Sequence, residues 1–168
     1  GVNQLEDKNV RSPASTARAR KPDAATLSKR AAAQGSEASD LGAGLSDMQA
    51  LLNPVAAEAY LSYKQPTLQN KIFDQLKKGK LRWYDAVDIH GCTIEEARVA
   101  MTQLLSQAKQ NNETMVKIVH GKGSEAILKT CVNGWLRQLP EVLAFCSAPP
   151  KDGGNGAVLV LLKKPKND

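Results

Sequence analysis

The sequence predicts an α/β fold over residues 83–168, a compact two-layer domain with the element order β-α-β-α-β-β and a mixed sheet. Apolar runs of strand length alternate there with longer segments whose apolar residues recur at helical spacing. Thr93 and Glu96 form a Thr-x-x-Glu capping box, which marks the start of the first helix. Pro140 marks the end of the second helix, because proline cannot continue one. Strands that alternate with helices favour right-handed parallel crossovers.

Four segments of this domain are predicted to be strands. They are AVDI at 86–89, MVKIV at 115–119, VLAFCSA at 142–148 and AVLVLLK at 157–163. The apolar stripe of the first helix comprises Ala97, Met101, Leu104, Leu105 and Ala108. The stripe of the second helix, which Ser124 can cap, comprises Leu128, Val132, Trp135, Leu136 and Leu139. The last two strands flank a proline- and glycine-rich segment, so they can pair as an antiparallel hairpin.

The segment 47–82, which precedes this domain, is predicted to be an ordered arm with short helices. Leu68, Ile72 and Leu76 recur every four residues and form one helical stripe. Pro66 precedes the stripe and Gly79 follows it, as expected for the two ends of a helix. The arm is therefore expected to pack against the main domain.

Residues 1–46 are rich in alanine, serine, glycine and charge, and have few large apolar side chains. Such a segment buries too little surface to offset its ordering entropy, so we predict a disordered tail. Between residues 11 and 30 it carries six basic side chains and one acidic side chain. This basic run suits a polyanionic partner such as nucleic acid, but it is equally typical of a linker whose charge keeps it solvated.

The overall composition excludes two classes of protein. No apolar run reaches the ~18 residues that a membrane-spanning helix needs, so no membrane partner is expected. Cys92, Cys131 and Cys146 are odd in number and form no C-x-x-C motif. Neither a disulfide framework nor a zinc knuckle is indicated, and free thiols fit a cytoplasmic protein. The net charge of +6 agrees with a polyanionic partner.

The two histidines of the chain, His90 and His120, each end a predicted strand and are each followed by glycine. The C-terminal ends of parallel strands share one edge of a sheet, where ligands bind, so both imidazoles are expected there. Asp88 lies two residues before His90, on the same face of the strand. Its carboxylate can fix the tautomer of His90 and raise its pKa, or it can simply satisfy nearby backbone donors.

The stretch HGKGS, residues 120–124, lies between a strand and a helix. Gly121 and Gly123 can adopt positive φ, Lys122 adds a positive charge, and the helix start offers free N–H groups. Together they can bind a phosphate, although a glycine-rich turn before a helix is often only a turn. A further glycine-rich loop, DGGNGA at 152–157, is interpreted as a hairpin loop and is not assigned to the same edge.

Taken together, these motifs resemble the Smr (small MutS-related) domain family over residues 84–163. The family pattern has a Leu-Asp-Leu-His-Gly element, then His-Gly-x-Gly, then Gly-Gly-x-Gly. In this chain they correspond to Val87–Gly91, to His120–Gly123 and to Gly153–Gly156. Valine and isoleucine replace the two leucines, which is conservative for a strand. The arm is similar to the segment that precedes the domain in stand-alone bacterial members.

This resemblance implies a fold similar to the C-terminal domain of bacterial translation initiation factor three. It also implies nucleic-acid binding, and in many members endonuclease activity, on DNA that is nicked or on RNA, including messenger RNA on ribosomes. Asp88, His90 and Gly91 fall in the first functional motif of the family. His120 to Gly123 fall in the second.

The leading hypothesis is therefore an endonuclease that cleaves RNA or nicks DNA. His90, oriented by Asp88, would be a general base or acid and His120 would take the complementary role, each with a pKa near ~6.5. The residues expected to hold the phosphate are Gly91, Gly121, Lys122, Gly123 and Ser124. RNA needs no cofactor, because its 2′-hydroxyl is a built-in nucleophile. For DNA, water must be activated, which calls for a divalent metal, Mg²⁺ or Mn²⁺.

Two alternatives stay open at this point. One is a nucleic-acid-binding module without catalysis, in which the same loops hold a phosphate backbone. The other is a ribosome-associated factor whose tail becomes ordered only on its partner.

Overall fold

The computed structural model describes residues 44–123 and 126–164, which form four α-helices around a five-stranded mixed sheet. The helices are α1 (Asp47–Leu51), α2 (Asn70–Lys77), α3 (Ile94–Gln110) and α4 (Ile127–Gln138). The strands are β1 (Ser62–Lys64), β2 (Asp85–Asp88), β3 (Met115–Val119), β4 (Val142–Ser147) and β5 (Ala157–Leu162). Of the tail predicted for residues 1–46, residues 1–43 lie outside the described residues. Ser46 is ordered, because its side chain accepts a hydrogen bond from the Gln49 N–H and caps α1.

The predicted element order β-α-β-α-β-β is confirmed over β2 to β5. The strands lie side by side in the order β1-β4-β5-β3-β2. Strands β2 and β3 are parallel, whereas β5 is antiparallel to both β3 and β4. Strands β2, β3 and β4 therefore point the same way, and their C-terminal ends lie beside the start of β5. We call this side of the sheet the carboxyl edge.

Helix α3 begins at the predicted capping box. The Thr93 side chain accepts from the Glu96 N–H at 3.1 Å, and the Glu96 carboxylate accepts from the Thr93 N–H at 3.0 Å. The whole predicted stripe of this helix is buried. It packs with α4 against one face of the sheet, around the fully buried Trp135.

The arm is more closely integrated than its sequence indicates. Its strand β1 pairs antiparallel with β4 at the edge of the sheet, which was not predicted. Three residues are too few to show an alternating pattern. Helix α2 was predicted, and it ends before Gly79, which has φ +70°. With Leu68 and Leu76 the arm covers the sheet face opposite α3 and α4, so it adds a layer to the predicted two.

Two local predictions around the second His-Gly loop need correction. Gly121 has φ +91°, as expected, but Gly123 does not have positive φ and a Cβ there would meet nothing within 4 Å. Ser124, the predicted cap, lies outside the described residues. Helix α4 begins at Ile127, after Ala126 with φ +54°. Within the described ranges, no helix combines the length and the apolar character that crossing a membrane requires.

Candidate functional site

The carboxyl edge carries an open cleft of about 450 Å³ between the two His-Gly loops and the start of α4. The predicted site residues that line it are His90, Gly91, His120, Gly121, Lys122 and Gly123. Helix α4 contributes four further residues, Ala126 to Lys129. The first N–H groups of a helix have no carbonyl partner within it, so this wall of the cleft favours anions. The structure thus brings together the two histidine loops that the sequence places on one edge.

Asp88 holds His90 through two hydrogen bonds to one carboxylate oxygen. The Asp88 Oδ1 atom lies 2.6 Å from the ring Nδ1 of His90 and also accepts from its backbone N–H at 3.0 Å. Both predicted roles of the carboxylate, orienting the ring and satisfying a backbone donor, are therefore present. Because a carboxylate only accepts, Nδ1 carries a proton and Nε2 is the free nitrogen. The hydrogen bond and charge of Asp88 raise the pKa of His90, whose side chain is 70% exposed.

His120 has a different environment, although its sequence context is similar. It is 5% exposed, and its Nδ1 lies 2.9 Å from the Gly121 carbonyl oxygen. That oxygen only accepts, so Nδ1 carries the proton, and the buried Nε2 has no hydrogen-bond partner within the described residues. Burial, with a smaller contribution from the Lys129 charge, lowers the pKa of His120 to about 4. The expectation that both imidazoles have a pKa near ~6.5 is therefore wrong for His120, which is neutral at pH 7.

The two His-Gly loops touch at a position that only glycine fits. A Cβ on Gly121 would lie 3.1 Å from the Cβ of His90, and its φ of +91° already disfavours any other residue. Gly91, directly after His90, has φ +78°. Both loops thus turn tightly at the strand ends, which leaves His90 projecting beside the cleft.

The loop Gly153–Gly156 completes the site. The sequence interpretation did not assign this loop to the carboxyl edge. The Gly156 carbonyl accepts from the N–H groups of both His120 and Gly121, at 2.9 and 3.0 Å. A Cβ on Gly156 would lie 2.9 Å from the Lys122 Cγ, so the lysine side chain runs across this glycine. The predicted order of strands already indicated this position, because a hairpin loop that follows a strand parallel to the others must begin at the carboxyl edge.

The arm also borders the cleft. Lys129 is 2% exposed, and its Nζ donates to the carbonyl oxygens of Ala57, at 2.8 Å, and of Ala59. Asn155, in the glycine-rich loop, donates to the carbonyl oxygen of Glu58 at 3.0 Å. Three consecutive carbonyls of an irregular segment are therefore fixed by side chains of the main domain.

The described residues offer little to a resident metal. They contain no group of three or more His, Cys, Asp and Glu side chains that could hold one. Asp88 and His90 supply two donors, and the Asp88 Oδ1 is already engaged by His90. Glu95 and Glu96 stand in the first turn of α3, where Glu96 is used by the capping box.

Known proteins resemble this chain over the region that contains the three loops described above. Residues 87–163, which include all of them, match the family model described as the Smr domain. Residues 87–163 form an Smr domain. The family resemblance derived from the sequence motifs is confirmed, and the fold agrees with a solved Smr structure. That structure is YdaL, a stand-alone small MutS-related protein from Escherichia coli, with TM-score 0.60 and 26% identity over 70% of this chain and 97% of YdaL.

Two curated Smr relatives carry different functional names. The probable DNA endonuclease SmrA of Escherichia coli K12 is 31% identical over 109 residues, which are 62% of this chain and 58% of SmrA. The ribosome rescue factor SmrB of Vibrio cholerae is 41% identical over 80 residues, which are 48% of this chain and 42% of SmrB. The chain thus spans about half the length of the curated Smr proteins it matches.

Proposed function

We propose that this Smr protein is a nucleic-acid endonuclease that prefers RNA, with His90 as its acid–base residue. The observation that carries the proposal is the exposed Asp88–His90 pair beside a cleft with Lys122 at its mouth. A histidine with a free Nε2 can both accept and donate a proton, and the pKa of His90 is raised by the hydrogen bond and charge of Asp88, which stabilise its protonated form. The cytoplasm, where ribosomes and messenger RNA are found, is the proposed location.

In the proposed reaction the scissile phosphate lies in the cleft beside Lys122 and the first N–H groups of α4. The neutral His90 Nε2 takes the proton of the ribose 2′-hydroxyl as the 2′-oxygen forms a bond to phosphorus. The bond from phosphorus to the 5′-oxygen breaks, and the proton on Nε2 passes to that leaving oxygen. Asp88 keeps the other proton on Nδ1 and stabilises the imidazolium that forms between the two transfers.

His120 is assigned a positioning role in this proposal instead of the complementary catalytic role expected from its sequence. Its Nε2 is shielded from solvent, and at pH 7 the ring has no proton to give apart from the one directed at Gly121. It instead fixes the turn that carries Lys122, whose ammonium group would face the phosphate. Gly91, Gly123 and Lys122 keep the phosphate-binding role proposed from the sequence, whereas the Gly121 N–H donates to the Gly156 carbonyl, so Gly121 shapes the turn instead.

The donor set of the cleft favours RNA over DNA. Hydrolysis of DNA requires an activated water, which the two donors at Asp88 and His90 are poorly suited to supply through a tightly held metal. On RNA the 2′-hydroxyl replaces that water. Any nicking of DNA is expected to need added Mg²⁺ or Mn²⁺, held mainly by the phosphate and water.

A second candidate function is a ribosome-associated factor. It is favoured by the relatives named ribosome rescue factor SmrB, which are 30–41% identical to this chain. Here the cleft would bind messenger RNA or ribosomal RNA, and the arm and tail would contribute affinity. This candidate is compatible with cleavage, and it is also compatible with binding alone.

The deciding experiment incubates the purified chain with end-labelled single-stranded RNA and with supercoiled plasmid, each with EDTA or with Mg²⁺. We expect RNA cleavage that survives EDTA, with 2′,3′-cyclic phosphate ends, and plasmid nicking only with the metal. RNA cleavage that EDTA abolishes and Mg²⁺ restores would contradict the metal-free mechanism. Tight binding without cleavage of either substrate would favour the non-catalytic module.

A further inference from the structure

A second feature of the carboxyl edge lies where the arm meets the end of β4 and the glycine-rich loop. It is a surface formed by Tyr60, Lys78, Lys80 and Lys151, which we call the Tyr60–lysine patch. We propose that this patch binds the stretch of single-stranded nucleic acid that flanks the cleaved phosphate, with Tyr60 as a platform for one base. The inference rests on the proposed function, because it extends the substrate beyond the cleft.

Tyr60 is the one exposed aromatic residue among those that the structure describes, with 52% of its surface accessible. The next residue, Leu61, exchanges two hydrogen bonds with Ser147, the last residue of β4, at 2.8 and 2.9 Å. Tyr60 therefore stands at the carboxyl edge, like the two histidines. Its hydroxyl lies close to the Cys146 thiol, so one end of the side chain is held against β4 while about half of the residue is open to solvent. A half-exposed aromatic ring in such a position suits base stacking.

The position of Tyr60 depends on the segment before it, which has no regular secondary structure. That segment is fixed by the bonds from Lys129 and Asn155 to residues 57–59. A buried ammonium group has a large desolvation cost, and here the Lys129 ammonium donates to two backbone carbonyls and is attracted by the Glu58 carboxylate. The same segment thus joins the wall of the cleft to the ring of Tyr60.

The lysines of the patch meet where the arm docks on the glycine-rich loop. Lys151 lies in that loop, and its Nζ donates to the Gly79 carbonyl at 3.2 Å. A Cβ on Gly79 would lie 2.8 Å from Pro149 and 3.1 Å from Lys151, so the turn after α2 is pressed against the loop. This contact places the exposed Lys78 and Lys80, on either side of Gly79, next to Lys151.

Within the described residues, the lysines of the patch form no ion pair. Asp74 pairs with Lys77 at 3.6 Å, and Asp152, next to Lys151 in the chain, keeps its negative charge and accepts from the Trp83 indole at 3.4 Å. An exposed aromatic ring with unpaired lysines beside it is the combination that binds single strands without sequence preference.

The distance between cleft and patch matches a short piece of strand. Tyr60 lies just before β1, and β4 and β5 separate β1 from β3, the strand that ends at His120, which makes three strand spacings, about 14 Å. At about 3.4 Å for each stacked nucleotide, the ring of Tyr60 lies roughly four nucleotides from the cleft. Lys122, whose side chain packs against Gly156, lies between the cleft and Tyr60.

The test measures binding of a single-stranded RNA decanucleotide and trinucleotide in a His90→Ala background, which prevents cleavage. Tyr60→Ala should weaken decanucleotide binding by about 5- to 150-fold, the range seen for loss of one stacked base, and leave the trinucleotide nearly unaffected. Tyr60→Phe keeps the ring and should bind almost normally.

The lysines are tested by replacing Lys78, Lys80 and Lys151 together with glutamine. The affinity for the decanucleotide falls as salt rises, and each lost phosphate contact should reduce the steepness of log affinity against log salt concentration by about 0.7. Loss of three contacts should therefore reduce this slope by about 2. The matched control replaces Lys109, Lys163 and Lys164, three exposed lysines at the opposite edge of the sheet, and should leave the slope unchanged. Thermal unfolding of each variant shows that it is folded.

The outcomes separate the patch from the function on which it rests. The patch is not part of the binding surface if its variants bind the decanucleotide as tightly as the control variant does. The same holds if they weaken trinucleotide binding as much as decanucleotide binding. Either result leaves the cleft as the binding site. If the His90→Ala protein with an intact patch binds neither oligonucleotide, the nucleic-acid function and the patch are both rejected. If Tyr60→Ala fails to fold, the lysine variant still decides.

Discussion

The two His-Gly loops share a sequence pattern but place their imidazoles in opposite environments. His90 follows β2, an edge strand of the sheet, so its side chain reaches solvent, and its ring is hydrogen-bonded to Asp88. His120 follows β3, an inner strand, and its loop is covered by the backbone of Gly156 and by Lys129. The pKa is raised in the first case and lowered in the second. Position in the sheet, more than the motif, therefore decides what each histidine can do.

In the proposed function this difference gives the two residues separate tasks. A proton can be exchanged at the exposed Nε2 of His90, whose other nitrogen is fixed by a carboxylate. His120 is proposed to support the shape of the turn at Gly121, to whose carbonyl its ring is hydrogen-bonded. A pair of similar catalytic imidazoles, as the sequence suggests, is not what the structure offers.

The largest effect is expected from removing the exposed imidazole. His90→Ala should lower kcat for RNA cleavage by about 100- to 10,000-fold, because a general acid–base residue typically contributes this much. The midpoint of thermal unfolding should change little, since the side chain is 70% exposed. Cleavage rates and thermal unfolding of the same preparation check both halves. A variant that cleaves at the parental rate would show that His90 is not catalytic.

His120 should respond differently to two substitutions. His120→Ala leaves a cavity and an unsatisfied Gly121 carbonyl, so it should lose about 2 kcal/mol or more of stability along with activity. His120→Asn places an N–H close to the former Nδ1 and should retain most of the cleavage rate. The comparison is made by single-turnover cleavage on folded protein. If His120→Asn is as inactive as His90→Ala, His120 takes part in proton transfer after all.

Acid should destabilise the protein through His120. Its pKa is about 4 in the folded chain and about 6.5 when unfolded, so between these pH values the unfolded state binds more protons. The free energy of unfolding should therefore fall as the pH drops from 6.5 to 4, by up to about 3 kcal/mol, and this loss should level off below pH 4. Urea unfolding of the parent and of His120→Asn isolates this contribution. Identical pH dependence of the two would contradict the buried, neutral state.

The smallest change is expected from Asp88→Asn, which keeps an acceptor for the backbone N–H of His90 but removes the charge. The pKa of His90 should fall towards its ordinary value, because the Asp88 hydrogen bond and charge are what raise it. The pH–rate profile of cleavage should therefore move to lower pH, with a reduced maximum. An unshifted profile would mean that another group controls the pH dependence.

Local signals in the sequence were sufficient for much of the fold. The strand at 115–119 and the capping box of Thr93 and Glu96 are found where they were predicted, because neighbouring residues specify both. Strand β1 was missed, since three residues beside Pro66 gain their strand conformation only by pairing with β4. Long-range pairing of this kind leaves no periodicity to detect.

The candidate site was predictable in its location but not in its electrostatics. The alternation of strands and helices places both histidine loops on one edge. The pKa of His120 is lowered by its burial and, to a smaller extent, by the charge of Lys129, and both arise only when the sheet is folded. The role of Gly156 could have been inferred, because the loop after β4 has to lie on the carboxyl edge.

The most direct test of this account is to titrate the two imidazoles by NMR. With two histidines in the chain, His90→Ala and His120→Asn assign the two ring signals without ambiguity. We expect the His90 ring to titrate with a pKa above 6.5, and the His120 ring to stay neutral until the pH approaches 4. Two rings that titrate together near pH 6.5, or a His120 ring that is protonated at pH 6, would contradict the division of roles between the two loops.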